Sequence, residues 1–317
     1  MEKYWLDGIM GVVVGDALGC PVQFMGRDEI ANRAKGQVTG MEGYGTFNKP
    51  PGTWTDDSAL TLALMASIRE AGAMDPEDVM NRFSDWLELG EYTPFHQAFD
   101  IGGATMDAIR RYEKDGDVTT CGGTTEYDNG NGSLMRILPA CLYVYEQQGK
   151  AGMSDKEAIK QIDVISGLTH NHLRARIGCG LYYFCVRAIL RESGSLMKRL
   201  QIGLDQGFAF YESDIANRVE LANYGRLRYL DVWKDTNRDD VKGSGYVVHA
   251  LEAAIWSAIT TTTYEECGLR CVNLGDDTDT VAAIAGGLTG LYYGYDGIPA
   301  EWLEVIQRRD WIEGMLR

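Results

Sequence analysis

Basic residues and proline are scarce in this sequence. Its 317 residues contain 30 Lys and Arg against 46 Asp and Glu, a formal net charge of −16, and only seven Pro. Surfaces that bind nucleic acids are basic because they neutralise phosphates, so this charge argues against a nucleic-acid partner. An acidic chain that binds an anionic ligand needs a local offset, which metal ions or helix N-termini usually provide.

Paired cysteines and long apolar runs are missing as well. The seven Cys are an odd number, and Cys267 with Cys271 lacks the second pair that would complete a tetrahedral metal site. Glu2 and Asp7 lie where a secretory signal needs a basic start and an unbroken apolar run. The apolar segment 280–295 is too short and too rich in Gly to span a bilayer. We therefore expect a cytoplasmic protein with buried thiols and no membrane partner.

Alternation of apolar and polar residues, the pattern of a half-buried strand, is rare, and helical periodicity dominates. Apolar residues recur every three to four positions in segments 58–70, 177–188 and 247–259. The length allows two domains or one large domain, but no repeat, low-complexity tract or Pro/Ser linker divides the chain. We predict an all-α fold, a compact multi-helix single domain over residues 1–317, with helices and loops in the charged, aromatic segment 207–243.

The first segment carries glycines at helical spacing. Gly8, Gly11 and Gly15 share one face of a helix, where each Gly costs about 1 kcal/mol relative to Ala. This stripe predicts that another backbone packs very close to the helix. Asp16 lies in the same apolar stretch. A buried carboxylate must be paired or hydrogen-bonded, so Asp16 either tethers a loop or supports a functional site.

Two acidic clusters stand directly before apolar, helix-like segments. Thr55-Asp56-Asp57-Ser58 suits a helix N-cap, although one Asp would suffice for capping. Asp276-Asp277-Thr278-Asp279-Thr280 holds three carboxylates, which converge only where a helix start is irregular. It lacks the Gly and Glu that a calcium loop requires. Together the clusters predict a shared site for hard cations, and all-oxygen ligands favour magnesium or manganese over zinc.

Gly-rich turns and a few ring-bearing residues supply the other candidates. Residues 129–136 form a turn that can cradle phosphate through N–H groups, without the spacing of dinucleotide or Walker loops. Residues 100–105 form a similar loop, for which an ordinary helix cap is the alternative. His170 and His172 lie two apart, which favours hydrogen bonding in a loop over metal ligation. Tyr246, beside two glycines, is the candidate for stacking a base.

In their order along the chain, these motifs resemble those of the ADP-ribosylglycohydrolases, the dinitrogenase-reductase-activating glycohydrolase and ADP-ribosylarginine hydrolase group. The matching motifs are Gly15-Asp16-Ala17-Leu18-Gly19, Trp54-Thr55-Asp56-Asp57-Ser58, Asp100-Ile101-Gly102, Gly130-Asn131-Gly132-Ser133-Leu134-Met135-Arg136, Thr169-His170 and Gly275-Asp276-Asp277-Thr278-Asp279-Thr280. No single motif is specific, but jointly they are, and the resemblance runs from about Met10 to Gly294. It implies an all-α fold of that type with a centre of two Mg²⁺ or Mn²⁺ ions.

The resemblance also implies roles for individual residues. It places metal ligands at Thr55, Asp56, Asp57, Asp277, Asp279 and Thr280. It places ADP-ribose contacts on the loop Asp100-Ile101-Gly102 and at Gly130, Gly132, Ser133, Met135 and His170, with Tyr246 near the nucleotide. The catalytic positions are Asp56, Asp100 and Gln23.

Two positions depart from the family pattern. Many members carry Glu in a Pro-Val-Glu-Phe stretch, whereas this chain has Gln23, and Gln can neither ionise nor transfer a proton. Asp56 and Asp100 are then the candidates for stabilising positive charge at the anomeric carbon and orienting water. The other departure is Asp276, where members often have Gly, so an extra charge is expected near the metals.

The implied reaction is metal-dependent hydrolysis of the bond between ADP-ribose and a modified protein side chain, with arginine as the favoured linkage. The same chemistry on ADP-ribosylserine or O-acetyl-ADP-ribose is one alternative. A non-catalytic module that binds ADP-ribose is the other, and Gln23 keeps it open. The expected partners are an ADP-ribosylated protein and ADP-ribose, with the chain acting as a monomer.

Overall fold

The computed structural model describes residues 2–316, which form sixteen α-helices and no β-strand beyond two isolated bridges. In chain order the helices are α1 Lys3–Gly19, α2 Arg27–Ala31, α3 Asp56–Ala71, α4 Pro76–Leu89, α5 Gly103–Asp115, α6 Leu138–Ala151, α7 Asp155–Gly167, α8 Leu173–Arg191, α9 Leu196–Glu212, α10 Arg218–Leu221, α11 Leu230–Trp233, α12 Val247–Ile259, α13 Tyr264–Val272, α14 Thr278–Tyr293, α15 Ala300–Val305 and α16 Arg309–Met315. The all-α prediction is confirmed.

Helices α1 and α14 pack backbone against backbone. A Cβ atom at Gly11 or Gly15 would overlap a main-chain carbonyl oxygen of α14. The close approach predicted from the glycine stripe is therefore confirmed, although Gly8 faces the side chain of Leu291 instead. This packing brings the C-terminal end of α1 against the first turn of α14, because a Cβ at Gly19 would overlap the main chain of Asp279.

The helices predicted from periodicity are present, since segments 58–70, 177–188 and 247–259 lie within α3, α8 and α12. One cluster of buried apolar side chains runs from Trp5 to Leu316 and connects these helices. All seven Cys are buried and unpaired, as expected. A single domain over the whole chain stays a prediction.

One helical stretch among residues 2–316, at 3–22, is long and apolar enough to cross a membrane. Of its apolar window, 94% is buried inside the protein. Packing in the core therefore accounts for its composition.

The charged, aromatic segment 207–243 consists of the end of α9, the short helices α10 and α11, and turns of 3-10 helix. Most of its aromatic side chains are buried, and the Tyr224 hydroxyl donates to the main-chain carbonyl of Arg174 at 2.8 Å. At its end, the carbonyl of Gly243 accepts the N–H of Asp277 at 2.9 Å. The segment thereby fixes the backbone just before α14.

Candidate active site

A cleft opens at the first turns of α3, α5 and α14. Its empty volume, including the open mouth, is about 630 Å³. It is lined by Gln23, Phe24, Asp56, Asp100, Gly102, Gly103, Ala104, Thr105, Gly130, Asn131, Gly132, Met135, His170, Gly245, Asp277 and Thr280. Three helix starts and the loop segments beside them therefore build one site.

Asp16 of α1 satisfies the main-chain donors at the start of α3. Its carboxylate accepts the N–H groups of Thr55 and Ser58, each at 3.0 Å, and the Ser58 hydroxyl at 2.5 Å. Burial raises the pKa of Asp16 to about 7, and these hydrogen bonds oppose the rise. Asp16 thus fills both roles that the sequence left open. It tethers the loop before α3 and leaves Asp56 and Asp57 free for other partners.

The backbone is irregular at the start of α14, as predicted for a segment whose carboxylates converge. Asp277 precedes the helix with φ −92° and ψ 70°, and its side chain makes no capping hydrogen bond. Asp279 is fully buried, with one oxygen accepting the Thr280 N–H at 2.9 Å. The Thr280 hydroxyl lies 3.3 Å from an oxygen of Asp57. The two acidic clusters predicted to share a site therefore meet.

Asp276 lies outside the contact between the two acidic clusters. Its side chain is exposed and does not line the cleft, so its charge falls on the surface. Its φ of 65° lies in the left-handed region, which Gly adopts freely and Asp tolerates. Main-chain hydrogen bonds to Phe24 and Met25, at 2.7 and 2.8 Å, hold it there.

The carboxylates at the base of the cleft are buried together. Burial first, and neighbouring carboxylates second, raise the pKa of Asp56, Asp57 and Asp279 well above the ordinary value. Burial also raises the pKa of Asp100 to about 6, which hydrogen bonding to Asp279 and Gln23 partly opposes. Like charges crowded in this way are stable only when protonated or when a cation lies among them.

Several buried acceptor oxygens at the site have no donor within residues 2–316: Gln23 Oε1, Asp57 Oδ1, Asp100 Oδ2 and Asp279 Oδ2. Each such group costs about 1–3 kcal/mol, and a cation would remove that cost. Across the described chain no three His, Cys, Asp or Glu side chains form a metal group by themselves. Threonine hydroxyls and water would have to complete the shell. Carboxylate and hydroxyl oxygens are donors that suit Mg²⁺ or Mn²⁺, so the residues fit such an ion.

The turn 129–136 forms another wall and is joined to the acidic cluster by Asn131. The Asn131 side chain donates to Asp277 at 2.7 Å, while its main-chain N–H donates to Gly245 at 2.9 Å. Gln23 also donates to Asp277, at 3.5 Å. The two amides thus position the carboxylate of Asp277.

Gly132 lies directly against His170. A Cβ at position 132 would lie 2.8 Å from His170 Cε1 and 3.1 Å from the Thr105 hydroxyl, so a larger residue must displace one of them. Burial, followed by the charge of Arg136, lowers the pKa of His170 to about 3. The ring is therefore a neutral hydrogen-bonding group at the wall of the cleft.

Most of the predicted site residues come together here. Those that line the cleft are Gln23, Asp56, Asp100, Gly102, Gly130, Gly132, Met135, His170, Asp277 and Thr280, and those buried beside them are Thr55, Asp57 and Asp279. Ile101, Ser133 and Tyr246 are absent from the lining. The Ser133 hydroxyl is buried and accepts from Ser166 at 2.9 Å, which leaves only its main chain for a ligand. The ring of Tyr246 packs edge-on to His249, with centroids 5.0 Å apart.

Six residues that line the cleft are not among the predicted site residues: Phe24, Gly103, Ala104, Thr105, Asn131 and Gly245. Thr105 and Asn131 fall inside the two loops already singled out, and that position was the available signal. Phe24 is 67% exposed and has a φ of 66°. Nothing in the local sequence indicates either property.

The chain is similar to known proteins along almost its whole length. Residues 5–317 match the family described as ADP-ribosylglycohydrolase. The chain is 31% identical over 304 residues to an ADP-ribosyl-[dinitrogen reductase] glycohydrolase of Rhodospirillum rubrum, covering 96% of this chain and 90% of that one. It is 29% identical over 307 residues to an ADP-ribosylarginine hydrolase, Tri1, of Serratia proteamaculans, covering 97% and 76%.

The chain is also similar to a human protein and to a solved structure. The chain is 26% identical over 290 residues to the human ADP-ribosylhydrolase ARH3, covering 78% of this chain and 73% of that one. A solved structure described as an ADP-ribosylglycohydrolase-related protein complex superposes with a TM-score of 0.76 at 29% identity, over 99% and 95% of the two chains. The chain belongs to the ADP-ribosylglycohydrolase family.

Proposed function

We propose that this member of the ADP-ribosylglycohydrolase family is a metal-dependent hydrolase that releases ADP-ribose from modified arginine side chains of proteins. The observation that carries the proposal is the meeting of two buried acidic clusters, with unpartnered oxygens, beside a Gly-rich turn. A relative named ADP-ribosylarginine hydrolase supports the arginine linkage, and one named ADP-ribosyl-[dinitrogen reductase] glycohydrolase supports a modified protein as the substrate.

Two Mg²⁺ or Mn²⁺ ions are the proposed cofactor. The residues that would hold them are Thr55, Asp56, Asp57, Asp277, Asp279 and Thr280. Such ions, when bound, supply positive charge that offsets an anionic ligand and makes a nearby water more acidic. The hydrogen bonds from Asn131 and Gln23 to Asp277 would keep that carboxylate oriented for the purpose.

The other walls suit the ADP-ribose portion. Gly130 and Gly132 present main chain without side chains, which lets phosphate oxygens approach N–H groups closely. The start of α5, immediately after Gly102, adds a helix N-terminus that favours negative charge. The pyrophosphate would thus bind to fixed dipoles despite the net charge of the chain.

Asp100 is the proposed base at the anomeric carbon. Water would attack that carbon while the bond to the guanidine nitrogen breaks, and an Asp100 oxygen would take the proton of the water. The positive charge that develops on the ribose would be stabilised by Asp56 and Asp100, which both line the cleft. The unpartnered Asp100 oxygen is available for the proton.

Gln23 also bears on which ADP-ribosyl linkage, arginine or serine, the protein cleaves. An ADP-ribosylated guanidinium is already positively charged, so its bond electrons return to the nitrogen and it leaves as a neutral guanidine. No acid has to protonate it. A serine oxygen would leave as an alkoxide and needs an acid, which an amide cannot provide. Gln23 at the cleft therefore favours arginine over serine.

Gln23 also supports a second candidate function, that of a module that binds ADP-ribose without turnover. In that case the acidic cluster would hold metal and ADP-ribose, and no linkage would be cleaved. Activity measurements distinguish the two candidates, because both predict ADP-ribose binding.

The deciding experiment mixes the full chain with peptides carrying ADP-ribosylated arginine or ADP-ribosylated serine, at saturating magnesium, and measures free ADP-ribose chromatographically. We expect release from the arginine peptide, loss of release with a chelator, and loss in Asp277→Asn. Asp276→Asn is the matched control, because that neighbouring carboxylate is exposed and lies outside the cleft. Absence of release from every linkage would leave the binding module as the function.

A further inference from the structure

Arg136 is a buried cation with few partners. It is fully buried, its Nε has no hydrogen-bond partner among residues 2–316, and none of its hydrogen bonds within that range goes to a carboxylate. Its contacts to the Ile165 carbonyl are long, at 3.4 and 3.5 Å, and its guanidinium carbon lies 4.9 Å from the centre of the Phe83 ring. Burying a guanidinium without a counter-ion is costly, and an apolar side chain would fill the space at less cost.

The one short hydrogen bond of Arg136 leads towards the cleft. An Nη atom donates to the Thr169 hydroxyl at 2.6 Å, and that hydroxyl lies 2.8 Å from Nδ1 of His170. A guanidinium can only donate, so the Thr169 oxygen must accept from Arg136. The hydroxyl proton then has a single acceptor within the described chain, which is His170 Nδ1. A neutral imidazole that accepts at Nδ1 carries its proton on Nε2.

His170 Nε2 faces the Gly-rich turn. A Cβ at Gly130 or at Gly132 would lie 3.3 Å from Nε2, and both glycines line the cleft with His170. Over residues 2–316, the His170 ring makes its one hydrogen bond with the protein through Nδ1, which leaves Nε2 without a protein partner. The proton on Nε2 is therefore directed to the place where the ligand would bind.

We propose that Arg136 is a positioning residue that, through the Thr169 hydroxyl, holds His170 as the Nε2–H tautomer, a neutral donor for a phosphate oxygen in the cleft. The identity of that oxygen rests on the proposed function, whereas the tautomer rests on geometry alone. In the opposite tautomer Nε2 would present a lone pair and repel an anionic oxygen. The charge of Arg136 helps to keep the ring neutral, in line with the lowered pKa of His170.

The tautomer can be observed directly, because the chain has only four His. Nitrogen NMR of the ¹⁵N-histidine-labelled full chain, with the signal assigned by its loss in His170→Gln, reports which ring nitrogen carries the proton. We expect the Nε2–H form in the wild type, unchanged from pH 8 to pH 5. A wild-type ring protonated at Nδ1 would overturn the proposal without reference to any variant.

Variants at Thr169 test the link between the tautomer and the ligand. Thr169→Val keeps the shape but removes the hydroxyl, and we expect mixed tautomers and an affinity for ADP-ribose lowered about tenfold. Thr169→Ser restores the hydroxyl and should restore both properties. Unchanged tautomer and affinity in Thr169→Val would contradict the proposal. If the wild type fails to bind ADP-ribose, the proposed function and the phosphate-donor role fail together, while the spectra still decide the tautomer.

Discussion

The hydroxyl of Thr280 lies 3.3 Å from a carboxylate oxygen of Asp57, although 223 positions separate the two residues along the chain. This contact joins the first turns of α3 and α14. It exists because the glycines of α1 let α14 pack closely enough for its first turn to reach the site. The packing of α14 against α1 therefore brings the two acidic clusters together.

Asp57→Asn should raise the free energy of unfolding of the metal-free protein and should reduce the stabilisation that added metal provides. The amide removes one of several crowded buried charges, which should raise the free energy of unfolding in a chelator by about 1 kcal/mol. It also removes a proposed ligand oxygen, so added magnesium should stabilise the variant less than the wild type.

Thermal unfolding in a chelator and in magnesium measures both effects. Asp276→Asn is the control and should leave both curves near those of the wild type. A variant at position 57 that is less stable in the chelator would show that the charges are not crowded in solution.

The sequence was sufficient to predict the helical class, the close approach of α14 to α1 and most of the residues that line the cleft. These features depend on local patterns, such as the spacing of Gly11 and Gly15 or acidic residues directly before a helix. The cap partner of α3 was not predictable, because Asp16 is about 40 positions away and two roles suited it equally well. Phe24 and Gly245 enter the cleft through main-chain pairing with distant segments, which leaves no periodic signal.

Gly15→Ala should destabilise the protein, although Gly15 itself does not line the cleft. Its Cβ would overlap a carbonyl oxygen of α14, and forcing such helices apart typically costs about 1–3 kcal/mol. Gly149→Ala is the matched control, because Gly149 is an exposed residue of α6 with no atom within 4 Å of an added Cβ. That change should stabilise by up to about 1 kcal/mol through helix propensity. Denaturant unfolding of both variants measures the difference, and similar effects of the two would contradict the packing.

Gly132→Val should abolish ADP-ribose binding and preserve the fold. The added side chain would press on His170 and Thr105 and close the approach to the main-chain N–H groups. Calorimetry with ADP-ribose at saturating magnesium measures the affinity, and circular dichroism monitors the helices. Gly26→Val serves as the control, since nothing lies within 4 Å of its added Cβ and it is outside the lining. Full affinity in Gly132→Val would place the phosphates elsewhere.

The remaining prediction distinguishes the catalytic roles of Gln23 and Asp100. Both line the cleft, and hydrogen bonding between them contributes to the pKa of Asp100. If Asp100 is the base, Asp100→Asn should lower the rate of ADP-ribose release from arginine by roughly 10²–10⁴-fold, the usual worth of general base catalysis. The variant should still bind ADP-ribose, because the Gly-rich turn is unchanged.

Gln23→Glu should act differently on the two linkages. Release from arginine needs no acid, so its rate should change little. Release from serine needs a proton on the leaving oxygen, so any slow wild-type rate should rise when a carboxyl group is introduced. Single-turnover measurements on both peptides at saturating metal isolate the chemical step from product release. A large gain on arginine in Gln23→Glu, together with little loss in Asp100→Asn, would move the base from Asp100 to position 23. The wild type would then be a protein that has lost its catalyst and kept its ligand site.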